Sequence, residues 1–259
     1  MQIVRDFLEK IFSISDTDNQ KHKVVTICFL KFKFKKRQGL SGCRLYPIQN
    51  CGTNNQLFFI DENNKKQLIE NFAPLPIKIF GSNNLCVIPQ NVNWLNSEII
   101  IKSNNSSFIM NNTYKNAIVN FYVEINHGDE QEIFIDENFT MGGGAMYSLE
   151  KKSRIKIGKD CMFSTDICIM SSDGHTIRDK DSQDIINYGN EVVIGNHVWL
   201  GKYTKILKNS VIPSDTVVGM NSMVNKEFKN SNTILAGIPA KVVKENIEWE
   251  RSALSAWKE

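Results

Sequence analysis

The chain has 259 residues, long enough for one large domain or two modest ones with a substantial buried core. Its net charge of +3, with 23% of residues charged, gives no basis for nucleic-acid binding, and no apolar run approaches the roughly 20 residues of a membrane-spanning helix. The six cysteines, Cys28, Cys43, Cys51, Cys86, Cys161 and Cys168, form no C-x-x-C pair and no zinc or disulfide spacing, so they read as free thiols in a reducing cytoplasm.

The N-terminus, MQIVRDFLEKIF, has acidic residues early and no apolar stretch ending in small residues. No secretion signal is read there, and a cytoplasmic location is expected. The spacing of Ile3, Phe7, Leu8 and Ile11 predicts a short amphipathic helix. KVVTICFLKFKFKKR then predicts one or two strands, in which Lys31, Lys33 and Lys35 alternate with Phe32 and Phe34. Such a strand has one solvated face, or a basic patch turned toward an anionic membrane or an acidic glycan. Turns such as DENNKK and GSNN punctuate further strands, so residues 1–100 are expected to form an N-terminal region of short helix and strands. The abundance of Asn, Lys and Ile reads as nucleotide bias rather than function.

A different rhythm starts at Ile194, where IGNHVW LGKYTK ILKNSV IPSDTV VGMNSM VNKEFK places Ile194, Leu200, Ile206, Ile212, Val218 and Val224 six residues apart. Compact residues follow four positions later at Val198, Thr204, Ser210, Thr216 and Ser222, with Phe228 the exception. A period of six fits neither a helix nor an alternating strand. It predicts a triangular coil in which each hexad is a short strand and a turn, the aliphatic points inward, and three hexads complete one rung. Residues eighteen apart, such as Ile194 and Ile212, should then stack. The fold class is all-β dominated: a left-handed parallel β-helix, an exception to right-handed crossovers, over residues 101–235. Fainter beats precede it at Ile157, Phe163 and Ile169, and at Ile135, Met141 and Tyr147, with the basic insert EKKSR between them. The segment SSDGHTIRDKDSQDIINYG reads as an active-site loop, residues 171–190, thrown out between stretches of coil, where function is commonly placed. Residues 236–259 are expected to form a capping helix beyond an Ile-Pro break, with Trp249 and Trp257 packing in it.

The motifs DGH at Asp173–His175, IGNHVWLG at Ile194–Gly201 and AGIPAKVVKENIEW at Ala236–Trp249 resemble those of hexapeptide-repeat acyltransferases. The resemblance is greatest to the branch that O-acetylates bacterial surface polysaccharides, including polysialic acid and capsular sugars, and covers roughly residues 130–250. HKVVTICFLKFKFKK also resembles a short leader of bacterial glycan-biosynthesis enzymes. The resemblance implies that His175 is the general base and that Trp199, 24 residues later, lines the site. It implies acetyl-CoA as donor, with contacts at Trp199, Gly201, Lys202, Met220, Asn225, Lys226, Lys241 and Lys244, and a homotrimer with sites between neighbouring coils. It places no nucleic acid or metal in the reaction.

The chemistry suits those residues. A neutral imidazole takes the proton of a sugar hydroxyl as it attacks the thioester carbonyl, in one ternary complex without a covalent enzyme intermediate. A backbone N–H near Gly201 would meet the oxyanion, and Asp173 would orient His175. Four lysines suit a polyphosphate. MGGGAMYS stands where small-sugar acetyltransferases carry an acceptor-binding asparagine, so a bare Gly142-Gly143-Gly144 surface would leave room for a longer glycan. N-acetylation of an amino sugar, or of its nucleotide-linked form, uses the same fold and base and is the alternative activity; a non-catalytic β-helical binding scaffold is the alternative from another class. A zinc hydratase would need three histidines, and His175 and His197 find no third; His22 and His127 lie in no motif.

Overall fold

The computed structural model describes residues 12–16, 22–27, 30–35, 44–189 and 191–253. The chain divides into two units at Arg44 and Leu45. In the first unit, strands Phe12–Asp16, His22–Ile27 and Leu30–Lys35 form an antiparallel sheet in sequence order, with Phe12 opposite Ile27 and Ile27 opposite Leu30. Lys31, Lys33 and Lys35 therefore take alternate positions of its third strand, as the sequence suggested. The helix expected over Ile3–Ile11 lies outside the described residues.

The second unit is a coil of three parallel sheets, and no helix occurs among the described residues. The first face carries, among others, Leu85–Pro89, Arg154–Ile157, Glu191–Ile194 and Val211–Ile212. The second carries Val92–Trp94, Thr140–Met141, Met162–Phe163, Trp199–Leu200 and Val217–Val218. The third carries Ile77–Ile79, Gly144–Ser148, Ile167–Met170, Lys205–Ile206 and Met223–Val224. The stacking expected of the hexads is present: Ile194 pairs with Ile212, Leu200 with Val218 and Ile206 with Val224. All six aliphatics are buried, and so are Val198, Thr204, Ser210, Thr216 and Ser222 at the corners. Burying each aliphatic side chain contributes about 1.5–3 kcal/mol, so the repeat is itself the core.

The coil reaches much further upstream than residue 101. Asn50 pairs with Ile79 and Leu57 with Cys86 in parallel, so coiling starts by Gln49 and the first unit ends at Arg44, not at residue 100. Rung length hid this. Cys86 pairs with Phe108, Phe108 with Ile133 and Ile133 with Ile155, steps of 22, 25 and 22 residues, against 18 after the loop. Longer strands and wider corners dilute a period of six. The same effect shifts the upstream beat by one residue at Tyr147: Met146 is the buried side chain, and Tyr147 lies outside against Tyr122.

Corners turn through left-handed backbone. His197, Tyr203, Asn209, Asp215 and Asn221, each three residues after a hexad aliphatic, all have positive φ. Asn occupies eleven of the twenty non-glycine positions with positive φ among the described residues. Asn tolerates this conformation better than other side chains. Corner chemistry thus gives much of the asparagine content a structural reason that genome bias does not supply.

The expected capping helix is replaced, over its described part, by a hairpin. Thr233–Gly237 continues the second face in parallel beside Val217–Val218, and Ala240–Glu245 returns antiparallel to it. The last rung would otherwise present a row of unpaired N–H and C=O groups, and the return strand satisfies them. Residues 246–253 then fold back along the coil, with Trp249 buried.

Candidate active site

The loop leaves the coil at the corner between the third and first faces. Its root rests on a polar ladder inside that corner, made of Gln131, Ser148, Ser153 and Ser171, all buried. Ser148 Oγ donates to Gln131 Oε1 at 2.8 Å, and Ser171 Oγ donates to Ser153 Oγ at 3.1 Å. Outside the corner the loop closes on itself as a short hairpin. Ile186 N donates to Ile177 O and Asp179 N to Asp184 O, and Asp179 Oδ1 caps the tip through the N–H groups of Asp181 and Ser182. Gly174, with φ +77°, makes the turn that precedes His175.

His175 is exposed, and no described residue bonds its ring. Its backbone is held: His175 O accepts from Asn187 Nδ2 at 2.8 Å, while Asn187 Oδ1 accepts from Ile177 N at 2.8 Å. Asp173 does not orient the imidazole within this chain. Its carboxylate is taken by Lys208 Nζ and by Asn187 Nδ2 at 2.9 Å. The Lys208 ammonium first, and the Asn187 amide second, hold the Asp173 carboxyl below its ordinary range. Lys208 also donates to Asn187 O, so one ammonium ties both ends of the loop to the next rung. Lys208 and Asn187 hold the candidate loop in place, and the sequence reading missed both. A lysine in a hexad carries no signal of its own, and only the fold brings it to the loop.

Trp199 lies on the second face, paired with Met162 and Val217, and is 38% exposed. The corner that bears His175 is opposite that face, so the two residues stand on different sides of one prism and share no contact. Gly201, Lys202 and Met220 line the corner between the second and third faces. The Gly201 N–H donates to Val218 O at 2.8 Å and is therefore spent, and a Cβ at Gly201 would come within 2.7 Å of Met220 N. Lys202 lies 3.6 Å from Asp166 and stands over the Tyr203 ring. Lys241 and Lys244 are exposed on Ala240–Glu245, the outer strand of the second face. Asn225 and Lys226 sit instead on the His175 side, beyond Met223–Val224, with Lys226 Nζ over Phe228. The ten site residues thus fall into two groups. His175, Asp173, Asn225 and Lys226 lie toward one corner; Trp199, Gly201, Lys202, Met220, Lys241 and Lys244 lie on the second face and its far corner.

Gly142 and Gly143 lie at that same far corner and are only partly buried, while Gly144 has a structural reason of its own. It has φ +154°, and a Cβ there would come within 2.2 Å of Ile167 O. A Cβ on Gly143 would meet nothing nearer than 3.5 Å. Buried thiols play no part in this chemistry: burial pushes Cys86 and Cys161 up to about 12.

A three-sided parallel coil with a long loop, an exposed imidazole and exposed lysines fits a left-handed β-helix acyltransferase. Comparison supports that class. The chain is 38% identical over 175 residues, 68% of its length, to the polysialic acid O-acetyltransferase of Neisseria meningitidis, covering 79% of that protein. It is 32% identical over 121 residues, 47% of its length, to a polysialic acid O-acetyltransferase of Escherichia coli, covering 39% of that protein. Among solved structures it resembles the polysialic acid O-acetyltransferase OatWY, with a TM-score of 0.56 and 29% identity over 82% of this chain and 95% of that one. It shares the fold of the polysialic-acid-specific acetyltransferase NeuO, with a TM-score of 0.66 and 24% identity over 80% of this chain and 89% of that one. No protein-family model matches the chain. The chain belongs to the hexapeptide-repeat acetyltransferases, in the group that holds the polysialic acid O-acetyltransferases.

Proposed function

We propose that this protein transfers an acetyl group from acetyl-CoA to a hydroxyl of a bacterial surface glycan, with a sialic acid polymer as the first acceptor class to test. The single observation that carries the reading is the 38% identity across most of the Neisseria meningitidis enzyme. His175 takes the proton of the acceptor hydroxyl while that oxygen bonds to the thioester carbonyl carbon. Collapse of the tetrahedral intermediate breaks the C–S bond, and the proton passes from the imidazolium to the departing thiolate. The oxyanion is met by a backbone N–H other than that of Gly201, whose donor is already used. Trp199 walls the acyl-donor arm, and Lys202, Lys241 and Lys244 supply point charges for its phosphates.

Because His175 and Trp199 stand on different sides of one coil, the site is completed between two copies, in a homotrimer whose neighbour brings the missing half. The basic strand Leu30–Lys35 is a candidate contact for the acidic acceptor or for an anionic membrane surface at a cytoplasmic location. The test is transfer of labelled acetyl groups from acetyl-CoA to a panel of surface glycans, scored as alkali-labile ester. His175→Ala is expected to lower kcat about 10²–10⁴-fold with acetyl-CoA binding retained. An alkali-stable amide product, or a fully active His175→Ala, overturns the reading.

A further inference from the structure

The chain beyond Glu245 is tied down more heavily than a loose tail needs. Ile247 N donates to Asn232 O at 3.0 Å, and Asn232 Nδ2 donates to Ile247 O at 3.2 Å, which fixes the exit from the terminal hairpin. Trp249 then packs at 7% exposure over the corner between the first and second faces. Its indole lies flat on the His197 imidazole, with ring centroids 4.1 Å apart and planes 9° from parallel. Its Nε1 donates to His197 O at 2.9 Å. His197 is braced in turn, with Nδ1 3.0 Å from Asp215 Oδ1 and Nε2 3.8 Å from Asp160 Oδ2.

Two residues further on, Arg251 uses all three guanidinium nitrogens on earlier rungs. Nε donates to Asp160 Oδ1 at 2.8 Å, Nη1 to Thr140 Oγ1 at 2.9 Å, and Nη2 to the carbonyls of Asn138 and Cys161, each at 2.9 Å. The direct partners Asn138, Asp160 and His197 are successive positive-φ positions of one corner, so Trp249 and Arg251 together bind three rungs of the coil.

The strap touches one group of the site. The rings of Trp249 and Trp199 lie 5.9 Å apart at 43°, a tilted aromatic contact. Trp199 sits on a two-residue strand with its side chain outside the core, so the coil fixes its backbone and leaves its ring largely to its neighbours. Trp249 is such a neighbour, held by the His197 ring and carbonyl, with Arg251 anchoring the chain two residues further on.

We propose that Trp249, clamped by His197 and anchored through Arg251, is a positioning residue that sets the orientation of the Trp199 ring for the acyl donor. This rests on the reading above that Trp199 walls the donor arm. A mispositioned wall weakens donor capture more than it slows a proton transfer made elsewhere, so the signature is a split between KM and kcat.

Trp249→Ala is expected to raise the KM for acetyl-CoA about three- to tenfold with kcat within about threefold of wild type. Trp249→Phe keeps the stacking surface and is expected to recover most of the loss. Arg251→Met, which leaves both tryptophans in place, is expected to give an intermediate KM. Fluorine NMR of protein labelled with 5-fluorotryptophan supplies a readout independent of activity. The Trp199 resonance, assigned by its loss in Trp199→Phe, is expected to shift or broaden in Trp249→Ala. Melting curves identify any variant that fails to fold, in which case Trp249→Phe and Arg251→Met carry the test through the same resonance. An unchanged KM together with an unmoved Trp199 resonance in folded Trp249→Ala or Arg251→Met overturns the proposal. If Trp199→Ala itself leaves the donor KM unchanged, the reading of Trp199 fails instead, and the positioning role falls with it.

Discussion

Asp173 and Lys208, thirty-five residues apart, meet as an ion pair at the root of the His175 loop. Because the Lys208 and Asn187 bonds favour the ionised carboxyl, Asp173 titrates lower when folded than when unfolded. Its contribution to loop order is therefore complete above the unfolded value and is lost as pH falls through the depressed one. The protection of residues 174–188, taken as the exchange rate relative to the intrinsic rate at each pH, is expected to stay constant from about pH 8 to pH 5 and to fall only in acid, below an ordinary aspartate value of about 4. A loss of protection already at pH 6 would show that Asp173 is not the anchor. The DGH motif marks a loop that does leave the coil, but its aspartate was misread. Two residues upstream of the histidine is close in sequence, yet the carboxylate turns back toward the coil, where an ammonium is waiting.

At the scale of elements, strand and corner make different demands on side chains. Six-residue spacing was legible wherever rungs hold 18 residues, since each aliphatic occupies the same environment as the one before it. It faded where rungs lengthen to 22 and 25, because extra corner residues change the phase. The triple glycine shows both demands in one segment. Gly144→Ala is expected to cost about 2 kcal/mol or more and to lower the melting temperature by several degrees, since its Cβ would press on Ile167 O. Gly143→Ala is expected to leave the melting temperature nearly unchanged, because its Cβ meets only ordinary van der Waals contact. Equal melting curves for the two variants would refute the close approach. The terminal segment was misread for a related reason. AKVVKENIEW carries enough apolar spacing for a helix, but its place beside the last open edge of the second face makes it a strand and then a strap.

For the whole molecule, the decisive fact is the separation of the imidazole from the tryptophan on a three-sided rod. On the roles proposed above for His175 and Trp199, a base on one corner and a donor wall on the opposite face meet only when two copies stand side by side. Co-expression of His175→Ala with Trp199→Ala, assayed at acetyl-CoA well below the donor KM of Trp199→Ala, is therefore expected to give more activity than either variant shows alone. Random assembly would regenerate about a quarter of the sites, each drawing its histidine and its tryptophan from different copies. No recovery in mixed oligomers, shown by two affinity tags to contain both variants, would mean that each copy carries a complete site.

The sequence by itself determined the triangular coil after Ile194, the inward set of aliphatics, and the loop with its histidine. Those features are local: each hexad states its own strand, corner and core contact within six residues. Tertiary structure alone decided where the coil begins, which face Trp199 occupies, what Asp173 binds, and how the terminal strap clamps the coil. Those depend on pairs far apart in the chain, up to the 113 residues that separate Arg251 from Asn138. Pairings of that range are set by the number of residues each rung happens to hold, and no short stretch of sequence records that count.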